Sequence, residues 1–117
     1  MNDNRKDNLV YIRHILDAIS AIQSYTEGMN VKKFKEDPKT IDAVVRQFEI
    51  IGEATRHIAM SFRERHAGIA WQKMVSMRNF LAHEYLRIDL DIIWDTAQKY
   101  LPPLKKLLEP ILKESCR

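Results

Sequence analysis

Cysteine is nearly absent from this sequence. The single cysteine, Cys116, excludes an intrachain disulfide, which is typical of proteins from a reducing compartment. The opening residues are polar, and no apolar segment resembling a signal peptide follows them. No stretch approaches the roughly 18 apolar residues that a membrane helix requires. We therefore expect a cytoplasmic protein that does not cross a membrane.

Glycine and proline are also scarce. The 117 residues include 3 glycines and 4 prolines, too few for the many tight turns of an all-β fold. Hydrophobic residues make up 45% of the chain and charged residues 30%, a balance that suits amphipathic helices. The length is close to that of one ordinary domain, so we predict a single domain over residues 1–117.

A strong charge of one sign is missing too. The 19 basic residues nearly match the 16 acidic ones, for a formal net charge of +3. This balance favours a polyanionic partner such as RNA only weakly. No run of five like charges marks a nucleic-acid tail. We interpret the short basic clusters at 32–35 and 63–66 as a solvated loop and a helix end.

What the sequence does contain is helical periodicity. A first helix is indicated by apolar residues at three- and four-residue steps, namely Leu9, Ile12, Ile15, Leu16, Ile19 and Ile22. Gly28 and Asn30 end this helix. Residues 31–37 are then expected to form a loop or a single turn around Phe34.

A long second helix is predicted to start at Asp37-Pro38, which combine a capping side chain with a proline whose missing N–H does no harm. A seven-residue repeat predicts one helix of about 40 Å that ends at 66–68. Its members are Ile41, Val44, Phe48, Ile51, Thr55, Ile58 and Phe62. Gly52 costs about 1 kcal/mol relative to alanine, which indicates that another helix packs close to it.

Two further helices complete the pattern. The third, over residues 71–82, carries Arg78 in its apolar stripe, and the fourth begins near Asp89 or Asp91. Pro102-Pro103 removes two backbone donors and should kink or split the fourth helix. The sequence thus predicts an all-α, up-and-down four-helix bundle with a long second helix and a kinked last helix.

The chemistry is concentrated in Arg78 and His83. An arginine fork matches two phosphate oxygens, and a histidine gives or takes a proton near neutral pH. Together they form the minimum set for splitting a phosphodiester without a metal. His83 moves the proton of the ribose 2′-hydroxyl, and Arg78 stabilises the extra negative charge on phosphorus.

The spacing of this pair bears on the assembly. Five residues on a regular helix correspond to about 140° of rotation, so Arg78 and His83 would not point the same way. Either His83 lies past the helix end or the site combines residues from two chains. A symmetric dimer would bring two arginines and two histidines to one cleft, with one histidine as base and another as acid. We expect a homodimer.

A plainer interpretation is that Arg78 and His83 form a buried capping pair, because the same spacing occurs by chance in many helical proteins. The other histidines have no sequence neighbours that indicate a site, and we interpret His14, His57 and His66 as surface or core residues. No group of histidines, cysteines and carboxylates has metal-site spacing, so we predict no metal.

A family resemblance covers most of the chain. The segment Arg78-Asn79-Phe80-Leu81-Ala82-His83-Glu84-Tyr85 resembles the Arg-x4-His-x-Tyr signature of HepT-like proteins, a branch of the HEPN (higher eukaryotes and prokaryotes nucleotide-binding) superfamily. The segment Phe48-Glu49-Ile50-Ile51-Gly52-Glu53-Ala54 is similar to the family's Ile-Gly-Glu-Ala segment. Trp71 ahead of the octet and Ile92-Ile93-Trp94 after it also resemble the residues found at these places in the family.

The resemblance implies a HEPN-type homodimer and a metal-independent endoribonuclease, the toxin of a type VII-like toxin–antitoxin pair that cleaves RNA such as tRNA or mRNA. Arg78 and His83 become the catalytic pair, and Asn79 becomes the polar residue that helps hold the site. Tyr85 becomes the site to which an MntA-like minimal nucleotidyltransferase antitoxin transfers AMP. The ATP for that step is used by the partner, so no cofactor is implied for this chain.

Four other charged residues bear on this site. We expect Glu53 and Arg56 to support it, because Gly52 permits close approach, although Glu53 could as well pair with a neighbouring helix. Glu84 places an anion where RNA must dock, and Arg87 partly offsets that charge.

Two other hypotheses stay open. The chain could be a non-catalytic helical partner that presents substrate to a nucleotidyltransferase, or a plain dimeric scaffold in which Arg78 and His83 are closed to solvent. The complete set of Arg78, His83 and Tyr85 favours the enzyme, because a pure adaptor has no need of proton-transfer chemistry.

Overall fold

The computed structural model describes residues 5–76 and 89–115. Every regular element in these ranges is helical and none is a strand, so the all-α prediction is confirmed there. In chain order the elements are α1 (Arg5–Thr26), α2 (Val31–Lys35), α3 (Pro38–Arg56), α4 (Met60–Arg65), α5 (71–76), α6 (Leu90–Asp95), a π-helical turn (Thr96–Tyr100) and α7 (Leu101–Ser115).

Helix α1 supplies the centre of the core and packs against α3 and α7. Its fully buried isoleucines are Ile12, Ile15, Ile19 and Ile22, and the burial of each contributes about 1.5–3 kcal/mol. The predicted stripe is therefore confirmed. The helix ends at Thr26, whose hydroxyl donates to the Ile22 carbonyl at 2.9 Å. Gly28 follows with a φ of +77°, which glycine adopts without strain.

The single turn α2 is anchored by Phe34. Asn30 caps this turn by accepting from the backbone N–H of Lys33 at 2.9 Å. The fully buried ring of Phe34 lies 5.4 Å from the ring of Trp94, centre to centre. The prediction of a loop or single turn around Phe34 is confirmed.

The start of α3 matches the predicted capping motif. Asp37 accepts from the Thr40 hydroxyl at 2.8 Å and from the Thr40 backbone N–H at 3.2 Å, and Pro38 lies in the first turn. Both hydrogen bonds favour the charged carboxylate and lower the pKa of Asp37 below its ordinary value, and the bond from the Thr40 hydroxyl has the larger effect. The apolar repeat then buries one face of α3, including Val44, Phe48, Ile51 and Thr55.

The prediction of one long second helix is wrong. Helix α3 ends at Arg56, Ala59 is extended, and α4 begins at Met60. The apolar residues of the repeat stay buried beyond the end of α3, since Ile58 and Phe62 are each 2% exposed. The seven-residue spacing therefore predicts correctly which residues are buried, but it does not show that the helix is continuous.

Side chains from elsewhere in the chain form hydrogen bonds with the backbone N–H and C=O groups that lose their helical partners at this break. Buried Asn8 of α1 accepts from the N–H of Ala59 at 3.0 Å. Arg63 donates from Nη2 to the Thr55 carbonyl at 2.7 Å and from Nε to the Ile58 carbonyl at 3.2 Å. Partial burial of the guanidinium lowers the pKa of Arg63. These contacts replace the helical hydrogen bonds that end with α3.

The predicted interruption of the last helix is confirmed. A π-helical turn, Thr96–Tyr100, separates α6 from α7, and the N–H of Leu101 donates to the carbonyl of Thr96 five residues earlier. Pro102 and Pro103 have no N–H, and in a regular helix their rings clash with the carbonyls four residues earlier. The wider π spacing lies directly before them and absorbs this conflict.

Of the third predicted helix, residues 71–76 are helical, and the remainder, including Arg78, lies outside the described residues. Trp71 ties α5 to α4 by donating from Nε1 to the carbonyls of Arg63 and His66, at 3.2 and 3.0 Å. The up-and-down order of four helices, the single domain and the dimer stay predictions. Within residues 5–76 and 89–115, no helix has the length and apolarity to span a bilayer.

Candidate functional site

The predicted catalytic segment lies outside the described residues. It falls within 77–88 and comprises Arg78, Asn79, His83, Glu84, Tyr85 and Arg87. The elements on either side are firmly held. Before the segment, Met74 of α5 is 2% exposed. After it, Asp89 caps α6 by accepting from the N–H groups of Asp91 and Ile92 at 2.9 and 3.3 Å. The segment thus joins two anchored helices.

The two predicted supporting residues lie one turn apart at the end of α3. The Oε2 atom of Glu53 accepts from Nη2 of Arg56 at 2.9 Å and lies 3.1 Å from Nε2 of His57. The three side chains are between 40% and 57% exposed, so these ion pairs add little stability. One carboxylate oxygen thus contacts both the imidazole and the guanidinium. A catalytic role for Glu53 and Arg56 stays a prediction.

A groove of 170 Å³ runs beside this network, between α1 and α3. Helix α1 contributes Tyr11 and His14, and α3 with its C-cap residue His57 contributes Arg46, Glu49, Ile50, Glu53, Ala54 and His57. The α3 positions recur at three- and four-residue steps and so share one helical face. With a rise of 1.5 Å per residue, the two ends of this face are about 16 Å apart.

Three rings meet at one end of the groove. The Tyr11 and His57 rings are stacked, with centres 5.3 Å apart and planes at 19°. The His14 ring meets Tyr11 edge-on, at 6.0 Å and 85°. His14 and His57 are exposed, whereas Tyr11 is half-buried and packs against the core. Tyr11 therefore forms a fixed floor between two accessible imidazoles.

Sequence reasoning missed this cluster. The interpretation of His14 and His57 as surface residues agrees with their exposure, but their proximity was not predicted. The sequence does carry a partial signal, because Tyr11 and His14 are three residues apart and Glu53 and His57 are four apart, and residues at these spacings share a helix face. Only the packing of α1 against α3 brings the two pairs together.

The metal chemistry of the described ranges is limited. Among residues 5–76 and 89–115, no three histidine, cysteine, aspartate or glutamate side chains are placed to hold a metal ion together. The predicted absence of a metal stays a prediction for the chain as a whole.

Comparison with known proteins gives one consistent family. The model of the ribonuclease HepT-like family matches residues 15–111. The chain is 36% identical over 113 residues to a probable ribonuclease HepT of Thermococcus cleftensis, a match that covers 97% of this chain and 100% of that protein.

Two further relatives have a similar percentage identity to the chain. A protein of Caldanaerobacter subterraneus subsp. tengcongensis, named as a candidate RNase, is 36% identical over 104 residues, which cover 89% of this chain and 93% of that protein. A protein of Methanocaldococcus jannaschii, named as a gamma-glutamylcyclotransferase and candidate RNase, is 37% identical over 110 residues. The chain spans 50% of the length of that relative. No solved structure matches the chain.

Proposed function

Because the chain belongs to the ribonuclease HepT-like family, we propose that it is a metal-independent endoribonuclease and the toxin of a type VII-like toxin–antitoxin pair. Membership in a family of RNA-cleaving enzymes confirms the resemblance predicted from the octet at 78–85. We further propose that the RNA substrate is a tRNA or an mRNA, that two protomers share the cleft, and that an antitoxin controls the enzyme.

The extent of the family match is the observation that carries the proposal. Residues 15–111 include the whole octet with Arg78 and His83, and also the end of α3 with Glu53 and Arg56. Both the predicted catalytic pair and its predicted support therefore lie inside the matched region. The exposed Glu53–Arg56 pair beside a polar groove is compatible with a site that is open to a large substrate.

Arg78 and His83 supply a route that needs no metal. The ribose 2′-oxygen attacks phosphorus while one histidine takes its proton, and the bond from phosphorus to the 5′-oxygen breaks as a second histidine donates a proton to that oxygen. The products are a 2′,3′-cyclic phosphate and a 5′-hydroxyl. Arg78 stabilises the negative charge that develops on phosphorus. In a symmetric dimer, the His83 side chains of the two protomers serve as base and acid.

Tyr85 is the proposed point of control. Its hydroxyl attacks the α-phosphorus of ATP on an MntA-like nucleotidyltransferase, pyrophosphate leaves, and AMP remains on the tyrosine oxygen. The added phosphate and base lie two residues from His83, where they repel and obstruct RNA. Unmodified protein is therefore expected to be the active form.

The test is cleavage of tRNA or mixed RNA by the chain expressed without a partner, in excess EDTA. We expect cleavage by the wild type and none by His83→Ala, since the variant lacks the proton-transfer group. Arg13→Ala is the control, because it removes an exposed charge on α1 that lies outside the groove. It should cleave like the wild type.

Intact mass decides the meaning of an inactive wild type. Extra mass in AMP units that maps to Tyr85, with activity restored once AMP is removed, would support the proposal. An unmodified wild type that cuts no RNA would contradict it and would favour the non-catalytic partner of a nucleotidyltransferase. Cleavage by His83→Ala at the wild-type rate would contradict the assignment of the catalytic pair.

A further inference from the structure

We propose that the groove between α1 and α3 is a subsite for single-stranded RNA, in which the rings of Tyr11, His14 and His57 contact a base and Arg46 binds a phosphate farther along the strand. The inference rests on the proposed ribonuclease function. It adds a place where the substrate is held apart from the catalytic pair.

The ring cluster has the chemistry of a base-binding surface. Every nucleobase has a π-face, so stacking on aromatic rings tolerates any sequence. Tyr11 is fixed by the core, and His57 is held by Glu53 through Nε2 at 3.1 Å. Preorganised rings lose little freedom when a base binds. The groove volume of 170 Å³ is below the roughly 300–1,000 Å³ of sites for drug-sized ligands, which fits one base at a time.

Arg46 is the cation that is available at the other end of the groove. It is exposed, and it forms no ion pair or hydrogen bond with any residue in the described ranges. Arg56, by contrast, is held by Glu53 at 2.9 Å. A guanidinium without a carboxylate partner in the described ranges can offer its planar fork to two phosphate oxygens. The distance of about 16 Å from Arg46 to the ring cluster along α3 separates the phosphate contact from the base contact.

Glu49 lies between these two contacts on the same face of α3, about 12 Å along the helix from His57, so it faces a base that lies between the one on the rings and the phosphate on Arg46. A carboxylate only accepts hydrogen bonds, and it pairs with the exocyclic amino group of a base such as cytosine. Uracil presents a carbonyl at the corresponding position, which a carboxylate repels. The groove therefore favours cytosine over uracil, and its negative middle directs the phosphate to Arg46.

A second copy of this chain is the competing occupant. The cores of protein interfaces are depleted in charged residues, whereas Arg46, Glu49, Glu53 and two histidines make up most of this lining. The charged lining thus argues against the core of a protein interface, and the case for RNA depends on the three rings and on Arg46. The oligomeric state of the variants separates the two occupants.

The experiment is fluorescence anisotropy with a 2′-O-methyl RNA oligonucleotide, whose blocked 2′-oxygen cannot attack phosphorus, so that binding is read without cleavage. Arg46→Ala should weaken binding several-fold and reduce the slope of log affinity against log salt by about 0.7, the value for one phosphate of a single strand. His14→Ala should weaken binding by about fivefold or more with an unchanged salt slope. Arg13→Ala is the charge-matched control and should bind like the wild type.

Two probes sharpen the assignment of base and phosphate. On an abasic oligonucleotide, the loss caused by His14→Ala should disappear, while the loss caused by Arg46→Ala should persist. The wild type should bind oligocytidine more tightly than oligouridine, and Glu49→Gln should reduce that preference because an amide donates as well as accepts.

The outcomes separate the subsite from the enzyme. If the wild type cleaves RNA while Arg46→Ala and His14→Ala bind RNA like the wild type, the subsite is wrong and the ribonuclease stands. If these variants bind normally but change the mass measured by light scattering, the groove is an interface between copies and the subsite is again wrong. A wild type that neither binds nor cleaves RNA overturns both proposals.

Discussion

The two faces of α3 have opposite roles. One face is buried against the core and includes Val44, Phe48, Ile51 and Thr55. The other lines an open groove with Arg46, Glu49, Glu53 and His57. The buried face makes apolar contacts that stabilise the fold. The groove face makes exposed polar contacts that contribute little to stability.

If the groove binds RNA as proposed, stability and binding are separable along one helix. A residue on the buried face cannot be replaced by a smaller one without leaving a cavity, because the interior is close-packed. A residue on the groove face should change with little effect on folding, and the proposed subsite predicts a large effect of that change on RNA binding. Variants of α3 therefore divide into two classes that different measurements detect.

The largest expected effect is on the buried face. Phe48 is 2% exposed, and Phe48→Ala should lower the free energy of unfolding by about 3–5 kcal/mol through lost burial and a residual cavity. Its neighbour Glu49 lies on the groove face, and Glu49→Ala should change stability by less than about 0.5 kcal/mol. Urea unfolding followed by circular dichroism measures both. Equal losses for the two variants would remove the distinction between the faces.

A smaller effect is expected where α3 ends. Asn8→Ala removes the acceptor of the buried Ala59 N–H, and leaving that donor unpaired should cost about 1–3 kcal/mol. The amide proton of Ala59 should also exchange faster with deuterium. Ser20→Ala, an exposed change on α1, serves as the control and should be near neutral. Unchanged exchange at Ala59 in Asn8→Ala would show that Asn8 does not hold the break.

The smallest effect concerns a polar atom among packed residues. The hydroxyl of Tyr100 is buried without a hydrogen-bond partner among the described residues, and its ring contacts the ammonium of Lys73 at 4.5 Å. Tyr100→Phe keeps the ring and removes the hydroxyl, so stability at pH 7 should change by less than about 1 kcal/mol. A larger loss would mean that the hydroxyl has a partner.

The same variant makes a prediction for alkaline pH. Burial disfavours the phenolate and raises the pKa of Tyr100 above the ordinary value of about 10. The unfolded chain then releases this proton at lower pH than the folded chain does. The contribution of Tyr100 is fully present below about pH 10 and is lost as pH rises through the folded pKa. Thermal unfolding between pH 9 and 11 should therefore show a weaker pH dependence for Tyr100→Phe than for the wild type.

The sequence predicts the buried face well, because helical spacing of apolar residues follows from local geometry alone. The stripe of α1, the capped start at Asp37-Pro38 and the interruption near Pro102-Pro103 all depend on neighbours in the chain, and all three are confirmed. The end of α3 depends instead on Asn8, which is 51 residues from Ala59. Apolar spacing continues through that break, so no local pattern distinguishes one helix from two.

The candidate site also has one part that could be predicted from the sequence and one part that could not. Arg78, His83 and Tyr85 are predicted from a motif and from family resemblance, and their arrangement lies outside the described residues. The groove could not be predicted, because it forms only where Tyr11 and His14 of α1 pack beside one face of α3. Charged residues on α3 are indistinguishable from a solvated surface until α1 is packed against them.

The measurement that tests the central claim most directly is the rate of RNA cleavage in excess EDTA, recorded together with the Tm of each variant. The account predicts cleavage by the unmodified wild type, none by His83→Ala, and a rate at least about tenfold lower for Glu53→Gln because a misplaced catalytic group loses rate, with the Tm of both variants close to that of the wild type. An unmodified wild type that cuts no RNA, or variants that cut it at the wild-type rate, would contradict the account.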